Sequence, residues 1–340
     1  MAKKEDSFSG LKDLSKGVPR FLEPMKALLE DELPEGADWL YEVKHDGIRA
    51  IAIKDNQRVR LFSRRPRELT DDHPEIIAAL VRLPARQFVL DGEIVALDLE
   101  GRSSFQLLQN RKRHHDRSRI FFILFDLLHL NGRDTISAPL VERRSLLKKL
   151  LPRNSGPLRF SLALEATASR VWQQAIKLAL EGVIAKRRDS AYEPGRRSGA
   201  WVKVKAQNEQ EFVIGGYTPP RGSRQYFGSV LVGYYAGKEL RFASKVGTGY
   251  DFASLKSLHR LFQKFRTPEC PFANLPTKRD GRPGQGVTAT EMKQCVWLKP
   301  ALVCQVRFLE WTRDSNLRQP VFLGLREDKK PTEVVREKPA

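Results

Sequence analysis

Residues Lys44-His45-Asp46-Gly47-Ile48-Arg49 put an amine, a carboxylate and a guanidinium inside an otherwise apolar, strand-like run, WLYEVKHDGIRAIAI. Lysine is a poor choice for the middle of a half-buried strand unless its amine is used. A solvated lysine, with a pKa of about 10.4, offers roughly one free amine in 2,500 at pH 7. Burial and nearby cations lower that value and make the amine a nucleophile. Read as a single strand, the run points Lys44 and Asp46 to one face, where the carboxylate can hold a metal ion or the ammonium itself. Arg49 lies beyond Gly47, which bends the chain or permits close backbone approach. On the hexapeptide alone, a surface strand with a salt bridge accounts for the pattern as well as an activated amine does.

Two further segments carry charge in strand-like surroundings. EGVIAK places Glu181 and Lys186 at the ends of a short apolar stretch, and WVKVK places Lys203 and Lys205 on one strand face in register with Trp201. Neighbouring lysines repel unless an anion such as a phosphate chain sits between them; an edge strand using lysine against aggregation gives the same pattern. Glu93 in LDGEIVAL and Asp126 in FILFDLL are acids embedded in apolar strands. Buried acids need partners, whether ribose hydroxyls, metal ions or a structural arginine. On pattern alone Phe125 reads as core. The chain has no Walker A spacing, no H-E-x-x-H, no cysteine pair at metal-ligand spacing and no G-x-G-x-x-G, which removes those chemistries.

Periodicity and punctuation predict the elements that position these residues. The run from Trp39, a turn at Lys54-Asp55-Asn56 and RVRLFSRR read as a hairpin. HPEIIAALVRLP has helical spacing, QFVLDGEIVALDLEGR reads as a strand pair, SSFQLLQNRK as a helix, and RIFFILFDLLHLNG as an apolar strand. LVERRSLLKKLLP is a helix ending at Pro152, and ASRVWQQAIKLALEG a helix stopped by Gly182. After Gln207 the texture changes to short strands with Gly and Pro punctuation, interrupted by one helical segment, DFASLKSLHRLFQKF. That pattern suggests a small β-barrel and a boundary near 207–210. Residues 1–20 read as a flexible basic arm and 331–340 as a charged tail.

At 340 residues with 41% hydrophobic content, two domains are the natural expectation. Lys plus Arg number 60 against 41 Asp plus Glu, a formal net charge of +19. Such an excess suggests a polyanionic partner, most often nucleic acid. No apolar run approaches the ~18 residues that span a bilayer, and the N-terminus lacks an apolar signal core. Cys270, Cys295 and Cys304 are expected as reduced thiols in a cytoplasmic, nucleoid-associated protein.

The order of these segments resembles the covalent nucleotidyltransferase superfamily of DNA ligases, RNA ligases and mRNA capping enzymes. KHDGIR resembles the nucleotidyl-lysine motif K-x-D-G-x-R. SRRP at 63–66 resembles the next motif, with Pro66 where glycine is usual, and DGEIV, FILFD, EGVIAK and WVKVK follow in series. Over about residues 22–330 the chain is most similar to ATP-dependent DNA ligases, specifically the ligase module of bacterial non-homologous end-joining ligases. EGVIAKRRDSAYEPGRRSGAWVKVK and RFLEWTRDSNLRQPVFLGLREDK carry that likeness, and the second argues against an RNA ligase or a guanylyltransferase. The resemblance implies an α+β fold: an adenylation (nucleotidyltransferase) domain of antiparallel sheets flanked by helices, residues 21–207, followed by an OB-fold β-barrel domain, residues 208–330.

The resemblance also implies roles. Lys44 attacks the α-phosphorus of ATP and carries AMP, which passes to the 5′-phosphate of a nick before the 3′-hydroxyl displaces it. Asp46 and Glu181 are the implied ligands of Mg²⁺ or Mn²⁺. Glu93 bonds the ribose, Phe125 stacks on adenine and Glu42 reads its amino group. Lys203 and Lys205 hold the α-phosphate with Lys186 beside them, and Arg49 and Arg64 touch the nucleotide or the nick's 5′-phosphate. In the R-x-D-K signature of the second domain, Arg326 and Lys329 orient the pyrophosphate. The implied partners are nicked duplex DNA, a Ku-type end-binding protein and a separate polymerase and nuclease; the expected state is a monomer away from membranes. With ~6–10 phosphate contacts, affinity for a nicked duplex is expected to fall about 10³–10⁵-fold between 50 and 200 mM salt. A binding titration over that range checks this, and a flat response contradicts it.

Overall fold

The run 39–53, read from sequence as one strand, breaks at its most charged point. In the computed structural model of the chain, one strand ends at Lys44, the next starts at Ile48, and the two belong to different sheets. Gly47 makes the break possible: a Cβ there would run into the carbonyl oxygen of Ile94. The structure describes residues 14–114, 120–152, 156–206, 208–222, 224–274, 287, 289–312 and 315–337. Contacts divide the chain after Ala206 into two units.

The first unit holds strands β1 (Leu28–Leu29), β2 (Trp39–Lys44), β3 (Ile48–Asp55), β4 (Arg58–Ser63), β5 (Gln87–Ala96), β6 (Ile120–Leu130), β7 (Arg133–Asp134), β8 (Leu158–Phe160), β9 (Gly182–Arg187) and β10 (Trp201–Lys205). Its helices are α1 (Pro74–Val81), α2 (Phe105–His114), α3 (Leu140–Leu150) and α4 (Ala168–Lys177). The larger sheet has the order β4-β3-β5-β6-β7 with β8 on β6, and the smaller the order β1-β10-β9-β2. QFVLDGEIVA, expected as a strand pair, is one ten-residue strand that keeps its pairing through a bulge at Asp91/Gly92.

Alternation sorts the larger sheet into two faces. Ala50, Ala52, Leu61, Leu90, Ile94, Phe122 and Leu124 pack with Ile76, Ala79 and Leu80 of α1 and Leu146, Leu147 and Leu150 of α3. Ile51, Ile53, Phe62, Val89, Phe125 and Leu128 form the opposite layer, which Trp201 of the smaller sheet joins. α3 stops where expected, because Pro152 disfavours a helical conformation at Leu151, which is extended. α4 begins at a Thr167 cap whose side chain accepts from the Arg170 N–H. It ends at Lys177 rather than running to Gly182, and the positive φ of Ala179 (50°) turns the chain.

The second unit contains β11 (Asn208–Tyr217), β12 (Val230–Ala236), β13 (Glu239–Val246), α5 (Phe252–Phe262), β14 (Arg266–Thr267), α6 (Ala289–Met292), β15 (Val296–Phe308), β16 (Glu310–Trp311), β17 (Leu317–Arg318) and β18 (Val321–Leu325). The sheet runs β13-β12-β11-β15-β14, with β18 also on β15. It is not a closed barrel. A single bridge, Thr248 to Val321, brings the chain after β13 back to β18, as a partly open OB-type barrel allows. α5, capped by a reciprocal Asp251/Ser254 box, buries Leu255, Leu258 and Phe262 on this sheet's core.

Both ends are tied down where described. Residues 14–20 of the expected arm are pinned, because β7 offers an open strand edge: the Gly17 N–H donates to Gly132 O at 3.0 Å and the Asp134 N–H to Ser15 O at 2.9 Å. In the expected tail Val334 is buried, and its carbonyl accepts from the Tyr235 N–H at 2.7 Å. Residues 1–13 and 338–340 lie outside the described residues. The three cysteines are free thiols, and no helix among the described residues is long and apolar enough to cross a membrane.

Candidate active site

The register of the smaller sheet fixes three rows of side chains: Lys44–Gly182–Lys205, Glu42–Ile184–Lys203 and Leu40–Lys186–Trp201. The rows are two residues apart on every strand, so all nine residues face one way. The alternate residues Tyr41, Val183, Ala185, Val202 and Val204 face the other way and bury themselves with Ala168, Val171 and Ala175 of α4. Fully burying one such aliphatic side chain contributes about 1.5–3 kcal/mol, so α4 locks the register that groups the charges. In the first row Gly182 is required, since a Cβ there would strike the Val204 carbonyl. β10 is not an edge strand; β1 pairs with it in parallel, setting Leu29 beside Lys203.

Lys44 ends β2 with its ammonium on the Glu181 carboxylate. Burial pulls this amine down, but the charge and hydrogen bond of Glu181, with Asp46 and Glu93, outweigh it and hold Lys44 above the ordinary lysine value. The expectation that cations lower this amine is therefore reversed: acids, not lysines, dominate its surroundings. Asp46, buried and on the connection rather than a strand, accepts from the Phe105 N–H at 2.8 Å and so caps α2. Carboxylate oxygens of Asp46 and Glu181 lie within 4.8 Å of each other. Glu93 stands opposite Arg49 across β5 and β3.

Arg49, expected to reach a nucleotide or a 5′-phosphate, is clamped through two nitrogens on the fully buried Asp91, at 2.5 and 2.6 Å. Asp91 also accepts from the Tyr192 hydroxyl at 2.7 Å. The Arg49 guanidinium lies 4.5 Å from the Phe125 ring centre. Phe125 itself is buried edge-on to Trp201, with ring centres 6.1 Å apart. Lys186, expected beside the phosphate-holding lysines, has its ammonium 4.2 Å from both of these ring centres and 3.1 Å from Glu42. Burial pulls Lys186 down to about 8 and the Arg144 charge adds to this, against the opposing pull of Glu42. His45, beside Lys44, is pulled down to about 4, mainly by burial.

Arg64 sits in a tight loop in which its N–H donates to Arg49 O at 3.1 Å and the Ser63 N–H to Arg67 O at 2.9 Å. Pro66 is exposed at the loop's outer part and contributes no donor. Arg326 and Lys329 belong to the second unit. There Arg326 makes a two-nitrogen pair with Asp328 at 2.8 Å, and Lys329 pairs with Glu211 at 2.8 Å. Asp126 takes the structural alternative, fully buried on Arg143 at 2.8 and 2.9 Å. Sequence reasoning missed Asp91, Tyr192, Arg144 and Ser161. A signal for Arg144 existed: Leu140 four residues before it and Leu147 three after it place it on the buried face of α3.

Two family models match this chain. That of the ATP dependent DNA ligase domain matches residues 19–205, and that of the ATP dependent DNA ligase C terminal region matches residues 223–329. The chain belongs to the ATP-dependent DNA ligases. Within that family it is 40% identical over 327 residues to the multifunctional non-homologous end joining protein LigD of Pseudomonas aeruginosa, covering 95% of this chain and 37% of that protein. It is 41% identical over 304 residues to the multifunctional non-homologous end joining DNA repair protein LigD of Mycobacterium tuberculosis, covering 89% and 38%. The chain thus spans well under half the length of these relatives. Among solved structures, a mycobacterial DNA ligase D complexed with ATP and MES is 39% identical, with a TM-score of 0.67, over 93% of this chain and 98% of that one. The ligase domain of M. tuberculosis LigD is 40% identical with a TM-score of 0.50 over the same shares. The two units are therefore a ligase adenylation domain and a C-terminal OB-fold domain.

Without nucleotide the two lysines, ordinarily alike, are expected to titrate apart, Lys186 first. Lys186 is expected to lose its proton near pH 8, while Lys44 stays charged beyond about pH 10. NMR of ¹³Cε-labelled lysine, assigned with Lys44→Arg and Lys186→Arg, checks this; Lys44 titrating below Lys186 contradicts it.

Proposed function

We propose that this ligase seals 5′-phosphate/3′-hydroxyl nicks in duplex DNA with ATP as co-substrate, carrying AMP on Lys44. The observation that supports it most is the row Lys44–Gly182–Lys205 with Lys203 in the next row, beside the carboxylates of Glu181 and Asp46. It combines a nucleophile, cations for a phosphate and hard oxygen donors. The Lys44 nitrogen forms a bond to the α-phosphorus as the bond to pyrophosphate breaks. AMP then moves to the 5′-phosphate, and the 3′-hydroxyl displaces it. Each step is an in-line displacement in which positioning and charge neutralisation supply most of the catalysis.

The side chains divide the work. Lys44 must give up the proton that its carboxylate neighbours hold on it, and Glu181 is the acceptor in contact. Lys203 and Lys205 oppose the charge that develops on the α-phosphate. Glu93 takes the ribose, and Phe125 and Glu42 take the base, which requires Arg49 or Lys186 to yield a face of the Phe125 ring. Asp46 and Glu181 suit a hard divalent cation, Mg²⁺ or Mn²⁺, by donor type and proximity; when bound it would neutralise phosphate charge. Arg64 meets the nick's 5′-phosphate, and Arg326 and Lys329 the leaving pyrophosphate, once their present carboxylate partners release them.

The names of the LigD relatives support end joining among repair pathways; the proposal adds a Ku-type end-binding protein as partner of a monomeric, nucleoid-associated ligase. The test is sealing of a nicked duplex with 3′-deoxy- or 3′-ribonucleotide termini, with and without ATP and Mg²⁺. Sealing is expected only with both. Lys44→Ala is expected to lose at least about 10³-fold, the scale at which loss of a nucleophile shows. Sealing by Lys44→Ala at the parent rate overturns the proposal.

A further inference from the structure

Glu42 is buried one row along the sheet from Lys44, beside the Lys186 ammonium that contacts Phe125 and Trp201. A carboxylate is an acceptor only, with about four lone-pair sites. Among the described residues three donors reach it: Arg144 on Oε1, and on Oε2 the Ser161 hydroxyl at 2.9 Å and the Lys186 ammonium at 3.1 Å. One site remains for a donor on a ligand.

The clamp on Glu42 is itself fixed. The other terminal nitrogen of Arg144 donates to the Ser161 carbonyl at 2.7 Å, and its guanidinium lies 4.7 Å from the Phe160 ring centre. The Ser161 N–H donates to Leu124 O at 2.8 Å. Next to Arg144 on α3, Arg143 is anchored on Asp126. Glu42 is therefore held from two sides by elements that carry none of the residues expected to meet ATP.

We propose that Arg144 and Ser161 are positioning residues that make this site selective for a purine with a 6-amino rather than a 6-oxo group. The inference rests on the reading of Lys44 as the site of adenylate formation. A fixed acceptor bonds a 6-amino N–H, whereas a 6-oxo group sets lone pair against lone pair. Lys186, on the other oxygen of Glu42 from the open site, offers a donor to the unprotonated N1 that accompanies a 6-amino group. A carboxylate free to rotate could turn away from the 6-oxo group and lose the distinction. Sites that bond a substrate N–H reject analogues lacking it by up to about 10⁴–10⁵-fold, provided the partner cannot escape.

The test is single-turnover adenylation of Lys44 with ATP and with inosine triphosphate, whose base carries a 6-oxo group and a proton on N1. The enzymes are the parent, Arg144→Gln, Arg144→Lys and Ser161→Ala. The ATP-to-ITP ratio of kcat/KM is expected to fall at least about 10-fold in Arg144→Gln and about 3-fold in Ser161→Ala, with Arg144→Lys between them. The loss is expected mainly in KM for ATP, with ITP little changed. A structural role alone would lower both nucleotides together. Equal loss on both, or a parent-like ratio, in Ser161→Ala and Arg144→Lys overturns the proposal even where Arg144→Gln fails to fold. A parent that takes no AMP from ATP overturns the adenylation reading itself, and this proposal with it.

Discussion

A two-residue period shared by three neighbouring strands is the constraint on which the first unit depends. β2, β9 and β10 bury Tyr41, Val183, Ala185, Val202 and Val204 against α4, and the same register gathers Glu42, Lys44, Lys186, Lys203 and Lys205 on the opposite face. A slip of one residue would turn the charged set into the α4 interface. Each uncompensated ion would then cost several kcal/mol, so apolar packing and charge placement enforce one register together. The charged residues sit on one face because an amphipathic sheet has only one face left for them.

Charge compensation explains the contrast between Lys44 and Lys186. Lys44 has three acids in electrostatic reach, and they outweigh burial. Lys186 has Glu42 and two aromatic faces but also Arg144 nearby, and burial wins. A desolvated cation–π contact is worth about 2 kcal/mol or more, enough to hold an ammonium among rings without fixing its proton firmly. The same demand for partners ties Arg49 to Asp91 and Arg143 to Asp126. Several cations of this domain thus stand on carboxylates.

Much of this was legible in the sequence. Alternation in WVKVK put Lys203 and Lys205 on one strand face with Trp201, as the register has them, and Pro152 and the Gly- and Pro-punctuated strands after Gln207 marked real elements; the strand in EGVIAK is real but runs Gly182–Arg187, leaving Glu181 just outside it. The break at Gly47 was not legible, because local pattern carries no information about a strand from elsewhere, here β5, that leaves no room for a Cβ. For the same reason the local pattern reads Asp46 as a strand neighbour of Lys44, whereas it caps α2. The clamp of Arg144 and Ser161 on Glu42 joins positions more than a hundred residues apart, and single-sequence periodicity cannot pair them. The sign of the Lys44 shift depended on which charges come nearest, which only the fold decides.

The reaction proposed for this ligase turns on Lys44 as the residue that carries AMP. Incubation with α-labelled ATP, followed by proteolysis and peptide mapping, tests it most directly. One AMP is expected, in an acid-labile and alkali-stable phosphoramidate, on the peptide containing Lys44, and no such label from GTP. Label on any other residue, or label retained only from GTP, would contradict it.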